Sequence, residues 1–522
     1  MSKGRYIVAI DVGTGSARCI VFDVEKKRSV SSSQSEWTHP TLPQYPGSQV
    51  FDTERNWSIV CQCIRGAMAK GRISPDQVLG VGATSMREGF VLYDKNGKAI
   101  WGCTNADSRA TKEVVELQKL PFAEKLYFTG GDWFGMSAPP RLLWIKKHQP
   151  EIYKQIAHLT MLSDWVLCKL TDNFTTEPSV GSSSGLFDLR RRSWSKWTTE
   201  VLDLPRGIYP DIHESCQIIG EVTPTASEET GLKRATPVVT AGADTQMALL
   251  GVGAIRPFSY TIVGGSFWQT TVVTESPLLD PKIRLRTLCH AVSNRWMTEG
   301  IGFYCGVAVR WFRDAFCQLE KKIAEEKNID AYLVLEKLAE EAPPGSNGII
   351  SIFSDLHNAK HWKHASSAFM QWNILAPEKF GKKEFFRSLE ENAAYVARGH
   401  LENVLELTKQ SPKEVVFCGG ASKGALWPKI LADVLDFPIR IPTVKESSCL
   451  GVTMCVGTAV GVYSDLNESV KELVSWERSY TPNRQNHERY MDHYQKWRAV
   501  YQRCLQMVEE GLLRPMWAAP GS

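Results

Sequence analysis

Three glycine-rich turns, one acid closing an apolar run and one charged pair hold the residues of this chain whose types and spacing suit chemistry. The first turn is Asp11-Val12-Gly13-Thr14-Gly15-Ser16. A backbone with so little side-chain bulk can approach phosphate oxygens, and successive N–H groups in a turn make an anion-binding nest. Thr14 and Ser16 add hydroxyl donors, and Asp11 can hold a magnesium ion through water. Gly264-Gly265-Ser266 and Gly419-Gly420-Ala421-Ser422-Lys423-Gly424 repeat the theme, the latter between an apolar run and a helical pattern. None is a Walker motif or a dinucleotide fingerprint, and each alone reads equally well as a structural turn. Spread over both halves, the three together predict a ligand bound between domains. The acid is Asp244, which ends the run Val238-Val239-Thr240-Ala241-Gly242-Ala243. It suits either a helix cap or a general base that takes a proton from an attacking hydroxyl. The pair Arg87-Glu88 sits between two apolar strands. It is either an ion pair at a strand end or a set of donors and an acceptor for a polyhydroxylated substrate.

These residues need elements to position them. Residues 6–11 (YIVAID) and 19–22 (CIVF) form two strands around the first glycine turn, a hairpin. A helical pattern follows from Asn56 to Met68, then strands at Val78–Ala83 and Gly89–Tyr93. The pattern predicts a mixed α/β sheet flanked by helices. Near residue 260 the opening recurs, with Tyr260–Val263, the second glycine turn and Thr270–Val273. A chain of 522 residues exceeds what one core usually organises, so two related domains are expected. Their joint falls in the glycine-rich, proline-closed stretch 251–257, which gives domains 1–254 and 255–522. Tyr490, Tyr494, Trp497 and Tyr501 recur at helical spacing and predict a docked final helix.

Composition narrows the function classes. The 61 basic and 57 acidic residues leave +4, too slight an excess for a nucleic-acid binder. Arg190-Arg191-Arg192, the one concentrated basic spot, reads as a solvated loop. Thirteen cysteines without a CxxC pair fit neither a disulfide framework nor a zinc site, which points to a cytoplasmic location. The opening MSKGRYIVAID lacks the basic-then-apolar order of a signal peptide. The uncharged stretch from Ser447 to Ser464 is diluted by Ser, Thr and Gly, and reads as a closely packed soluble helix rather than a membrane span. His357, His361 and His364 follow Asp355 at spacings that suit a metal, but Asn358, Lys360 and Lys363 favour an exposed polar stretch.

In order along nearly the whole chain, these motifs resemble the FGGY carbohydrate kinase family. The resemblance rests on Asp11-x-Gly-Thr-x-Ser, Pro46-Gly47…Asp52…Trp57, Arg87-Glu88, Ser184–Asp188 with Trp194, Gly242-x-Asp244, Gly306-x-x-x-Arg310-Trp311 and Gly419–Lys423 with Leu426-Trp427. It implies the actin/Hsp70-like ATPase fold, two ribonuclease-H-like domains with an interdomain cleft, and ATP-dependent phosphorylation of an alcohol. By resemblance Asp244 is the general base and Asp11 the magnesium-associated acid. Thr14, Gly15, Ser16 and Arg18 fall on the first phosphate hairpin, Gly265 and Ser266 on the second. Gly306 and Arg310 match nucleotide contacts, and Gly420 and Gly424 lie where the adenosine pocket is expected. Arg87 and Glu88 match the pair that grips substrate hydroxyls, with Met136, Asp164 and Thr245 also on the substrate side. Met136 replaces a tyrosine and Thr245 a glutamine of glycerol kinases, which weakens a glycerol reading. Arg141 stands where a lysine is usual. Stretches such as Ser85–Gly89, Leu162–Trp165, Gly264–Gln269 and Arg310–Cys317 are most similar to the branch that phosphorylates 4,5-dihydroxy-2,3-pentanedione on its terminal hydroxyl. Members of that branch imply the phosphocarrier HPr as an inhibitory partner. A kinase for another small sugar or polyol such as a pentulose, and an actin-like ATPase switch without an acceptor, are the alternatives.

Overall fold

Two sheets built to one strand plan carry the glycine turns. The computed structural model describes residues 5–522; the first four residues, and with them part of the expectation about a leader, lie outside the described residues. β1 (Tyr6–Val12) and β2 (Ser16–Asp23) form the opening hairpin, and β3 (Arg28–Glu36) pairs antiparallel with β2. Helix α1 (Thr53–Gly71) crosses over to β4 (Val78–Ser85), which lies parallel to β1. Asp52 caps α1, its carboxylate accepting the Arg55 N–H at 3.1 Å. A three-stranded side sheet (Phe90–Tyr93, Ala99–Cys103, His158–Met161) and helix α2 (Thr111–Gln118) follow. β5 (Ile218–Glu221) and β6 (Pro237–Val239) complete the order β5-β6-β4-β1-β2-β3, and α3 (Asp244–Gly251) ends this half.

The second half begins with the hairpin β7 (Tyr260–Gly264) and β8 (Trp268–Thr274), then β9 (Arg286–Cys289) and β10 (Trp296–Gly302). Helices α4 (Cys305–Phe316) and α5 (Lys382–Thr408) precede β11 (Val415–Cys418), α6 (Leu426–Leu435) and β12 (Ile439–Pro442). Helix α7 (Ser447–Ala459), β13 (Trp476–Tyr480) and α8 (Arg484–Glu509) follow. The sheet order is β9-β10-β8-β7-β11-β12-β13. In both sheets three antiparallel strands (β3-β2-β1, β10-β8-β7) meet two parallel ones (β4-β6, β11-β12) and an antiparallel edge (β5, β13), and the second sheet adds β9 antiparallel to β10. This is the repeated ribonuclease-H-like arrangement expected above. β1 runs buried from Ile7 to Ile10 because helices cover both faces of its parallel join to β4. Serine-rich β3 alternates toward solvent, as an edge strand should.

The uncharged stretch is indeed a packed helix. A Cβ on Gly451 of α7 would come 2.1 Å from Met247 O, and one on Gly251 of α3 would come 2.0 Å from Ser447 O. Val452 and Val456 of the same helix rest on Gly82 and Gly80 of β4, so a helix from late in the chain covers the first sheet. The aromatic stripe of α8 is buried, with Trp497 donating to Ser351 O at 2.9 Å. All thirteen cysteines are free. Among the described residues no helix is long and apolar enough to cross a membrane.

Two expectations are corrected. Arg190 and Arg191 are exposed, but Arg192 is buried: its guanidinium pairs with Glu214 at 2.7 Å and donates to Arg295 O at 2.8 Å. The histidine stretch is not an exposed surface. Only His361 is exposed, because a 3-10 turn over Ala359–His361 swings it outward. His357 and His364 are buried, and His364 Nε2 lies 3.1 Å from Asp355 Oδ1. Among the described residues no three His, Cys, Asp or Glu side chains are grouped to hold a metal.

Candidate active site

Two neighbouring cavities lie where the glycine turns converge. The first, about 360 Å³, is lined by Gly265, Ser266, Gly306, Arg310, Gly420 and Gly424, all six residues assigned by resemblance to the nucleotide in the second half. Backbone proximity explains why glycines stand here. A Cβ on Gly306, at the start of α4, would come 2.2 Å from Gly265 O. Gly419 has φ +90°, and its Cβ would come 2.5 Å from Gly264 O. The helix start, the hairpin turn and the strand–helix turn therefore press together around one concavity. Tyr332, Leu333 and Trp427 supply apolar walls. Glu336 faces them, its Oε2 accepting the Ala425 and Leu426 N–H groups at 2.8 and 3.2 Å at the head of α6.

The second cavity, about 520 Å³, joins both halves. Thr14, Arg87, Glu88, Met136, Asp244 and Thr245 line it, as the sequence predicts for the substrate side and the first phosphate turn. Asp244 is the first residue of α3 rather than its cap; the capping position is Ala243. Its Oδ1 accepts the Thr245 N–H at 2.6 Å and lies 3.9 Å from Arg87 Nε. Surrounding protein raises its pKa above the usual carboxylate range, with Arg87 opposing. Asp11 is pushed up to about 7, first by burial and then by the charge of Asp244.

Charged residues that sequence reasoning missed order this cavity. Arg87 Nη1 donates to Glu299 Oε1 at 2.7 Å, Arg286 pairs with Glu88, and Arg286 Nε lies 3.3 Å from Asp132 Oδ2. Burial pushes Asp132 up to about 6. The register of β9 and β10 sets Arg286 opposite Glu299. A charge inside each otherwise apolar strand run was the available signal. Glu88 adopts φ +64°, and buried Arg141 holds its carbonyl at 2.6 Å while donating to Asn105 O and Asp107 O, both at 2.8 Å. Arg141 thus clamps the turn that aims the Arg87–Glu88 pair.

Other assigned residues lie outside both linings. Asp164 is buried, its Oδ2 accepting the Thr176 hydroxyl at 2.7 Å, and it does not line the cavity. Arg18 is taken up by Glu446 and by Gln34 at 3.0 Å. Gly15 O accepts the Trp37 N–H at 3.1 Å, and Ser16 Oγ accepts from Gln34 at 3.3 Å. Of the first turn only Thr14 reaches the cavity, donating to Asn105 Oδ1 at 3.3 Å.

Comparison with known proteins agrees with this architecture. The chain is 42% identical over 519 residues to the autoinducer-2 kinase of Escherichia coli strain K12, covering 99% of this chain and 98% of that one. It is 41% identical over 522 residues to the autoinducer-2 kinase of Salmonella paratyphi B, with the same coverage. Among solved structures, xylulose kinase from Rhodospirillum rubrum superposes with a TM-score of 0.83 at 23% identity, over 97% of this chain and 100% of that one. Plasmodium falciparum glycerol kinase with ADP superposes at 0.82 and 17% identity, over 96% and 98%. The N-terminal domain of the FGGY family of carbohydrate kinases matches residues 6–251 and its C-terminal domain residues 262–460. With both family domains in order and full-length relatives at this identity, the chain belongs to the FGGY family of carbohydrate kinases.

Proposed function

We propose that this enzyme transfers the γ-phosphoryl group of ATP to the terminal hydroxyl of autoinducer-2, 4,5-dihydroxy-2,3-pentanedione. The observation that carries the choice of substrate is the full-length identity to autoinducer-2 kinases, 42% over 99% of the chain. Membership in a carbohydrate kinase family sets aside the ATPase switch without an acceptor. A pentulose kinase is less well supported: xylulose kinases match at 23% identity or less among the neighbours named here.

The domains divide at residues 254/255, with the acceptor on the first and ATP on the second. Gly265, Ser266, Gly306, Arg310, Gly420 and Gly424 hold the nucleotide in the smaller cavity. Arg87 and Glu88, fixed by Glu299 and Arg286, orient the acceptor hydroxyls. Met136 and Thr245 shape the same cavity, and neither offers the phenol or amide that a glycerol site uses. Asp244 accepts the proton as the hydroxyl attacks, and its raised pKa makes it a better base. Thr14 contacts the transferring group. Phosphoryl transfer otherwise asks for alignment and charge neutralisation, which the turns supply.

Magnesium fits the site. Asp11 is a hard oxygen donor held at about 7 by burial and by the charge of Asp244, an excess of negative charge that a cation would relieve. A magnesium ion carried on ATP takes one or two protein carboxylates and keeps waters, so Asp11 would hold it through water, which leaves Asp244 free to take the proton. The ion supplies neutralisation of the phosphate oxygens. ATP use fits a cytoplasmic location, and HPr is a partner by likeness to the same branch. ADP release measured with the dione, xylulose, glycerol and no acceptor tests the reading. Turnover with the dione at least tenfold above xylulose supports it; preference for xylulose or acceptor-independent release refutes it. Isothermal titration with HPr tests the partner separately.

A further inference from the structure

The larger cavity has a wall that neither family domain contains, since those end at residue 460. Residues 516–519 run antiparallel beside 362–365 through one β-bridge, and the chain then turns over 519–522. His364 N–H donates to Trp517 O at 2.9 Å, Ala519 N–H to Trp362 O at 2.8 Å, and Lys363 bridges Ala518 antiparallel. Trp517 stacks on Phe303, with centroids 4.6 Å apart and planes at 26°, and meets Trp362 edge-on at 5.0 Å. Both partners also line the cavity.

This aromatic platform is rigid for a stated reason. Buried Asp355 accepts the Trp362 indole N–H at 2.9 Å and the Phe303 N–H at 3.3 Å, with His364 Nε2 3.1 Å away. One carboxylate therefore orients the Trp362 ring and anchors the Phe303 backbone, the two residues against which Trp517 packs. The far end of the segment reaches the other half of the molecule. Gly521 has φ +80°, and a Cβ there would come 2.7 Å from Val114 of α2; Pro520 O lies 3.5 Å from where a Gly135 Cβ would sit. The segment thus spans from the second half to the first along one wall of the larger cavity.

We propose that residues 517–521, with Trp517 as the rigid element, form a strap that sets the length of acceptor the enzyme takes. The proposal rests on the larger cavity being the acceptor site. Ala518 and Ala519 place small side chains and Trp517 a flat ring on the wall of that cavity. A short acceptor fits against them, and each additional carbon meets the ring or must lift the strap off α2. Discrimination of this kind amounts to about tenfold or more per methylene-sized change when the wall cannot move.

The test measures kcat/KM with the five-carbon dione, a hexulose and a heptulose for the wild type, Trp517→Ala and Gly521→Val. Trp517→Ala removes the ring. Gly521→Val leaves the ring in place and pushes the strap off Val114. The proposal expects the heptulose-to-dione ratio to rise about tenfold in both. Thermal melts establish that each variant is folded; if Trp517→Ala is not, Gly521→Val decides alone. An active wild type with ratios within twofold in the folded variants overturns the strap and leaves the kinase reading intact. A wild type that phosphorylates none of the acceptors overturns the acceptor reading and the strap with it.

Discussion

Asp244→Asn separates chemistry from architecture because the two respond with different magnitudes. Asn keeps the shape and an oxygen to accept the Thr245 N–H, the 2.6 Å bond at the head of α3. It loses the ability to take a proton, so kcat should fall by about 10²–10⁴. Stability should hardly move, since two small terms oppose. An acid in the first turn of a helix contributes about 0.3–1 kcal/mol through the helix dipole, which the variant forfeits. Against this, the folded-state pKa of Asp244 is raised, so the folded state disfavours its charge and neutralisation offsets part of the loss. The Arg87 contact at 3.9 Å, with the Asp244 side chain 38% exposed, adds little. The sign also fixes the pH response. Asp244 must be ionised to act, so wild-type turnover should rise with pH through a value above the ordinary carboxylate range. The variant should lack that limb. Coupled ADP-release kinetics from pH 4 to 8, with a melt of each protein, make the measurement. A variant within tenfold of wild-type kcat, or one that loses activity and fold together, refutes the assignment.

Other outcomes follow from the same geometry. Gly306→Ala places a Cβ 2.2 Å from Gly265 O and forces the α4 start away from the second hairpin; KM for ATP should rise at least tenfold while KM for the acceptor changes less, read from crossed initial-rate series. Gly451→Ala drives α7 off α3, with a Cβ 2.1 Å from Met247 O; overpacking of this kind costs about 1–3 kcal/mol, visible as a lowered denaturation midpoint. Asp355→Ala strands two buried N–H groups, the Trp362 indole and the Phe303 backbone, so stability should fall by about 1–3 kcal/mol for each. The folded-state pKa of Asp355 is depressed, so its contribution is present above the unfolded carboxylate pKa and is lost as pH falls through the lower folded value. Urea melts at descending pH should show wild type approaching the variant only in acid.

What could be read from sequence alone was what a backbone or a period dictates. Gly419 and Gly306 stand out because only glycine tolerates Gly264 O or Gly265 O at such close range, whereas the first turn has no such crowding; the strands stand out because apolar runs of that length recur on both sides of the turns. The α8 stripe is visible because one face of a long helix repeats. The cavity walls are different. Phe303, Trp362 and Trp517 meet through loops more than 50 residues apart and share no period. The lysines around His364 suggest solvent, yet a single 3-10 turn exposes His361 and buries its neighbours. Asp164 shows the opposite failure. A motif can carry a residue to the right neighbourhood and still not to the cavity, since burial against Thr176 is a property of packing.

The doubled sheet also explains why the two halves divide the work unequally. The matching strand orders bring two hairpin turns, one from each half, to the same cleft, and by backbone alone both suit phosphate. Charge breaks the equivalence. The first half places Asp11 and Asp244 beside its turn, and burial, with the charge of Asp244 added, raises Asp11 to about 7. The second half places no acid in Gly264–Ser266 and brings up the start of α4 instead. Anionic phosphates are therefore better tolerated over the second half, and a group that must lose a proton is better served over the first. Arg87, held by Glu299 from the second sheet, stands between the two carboxylate-rich clusters and cannot keep its position unless the halves are together. On the function proposed above, alignment of the acceptor with Asp244 therefore depends on the Arg87–Glu299 contact between the halves.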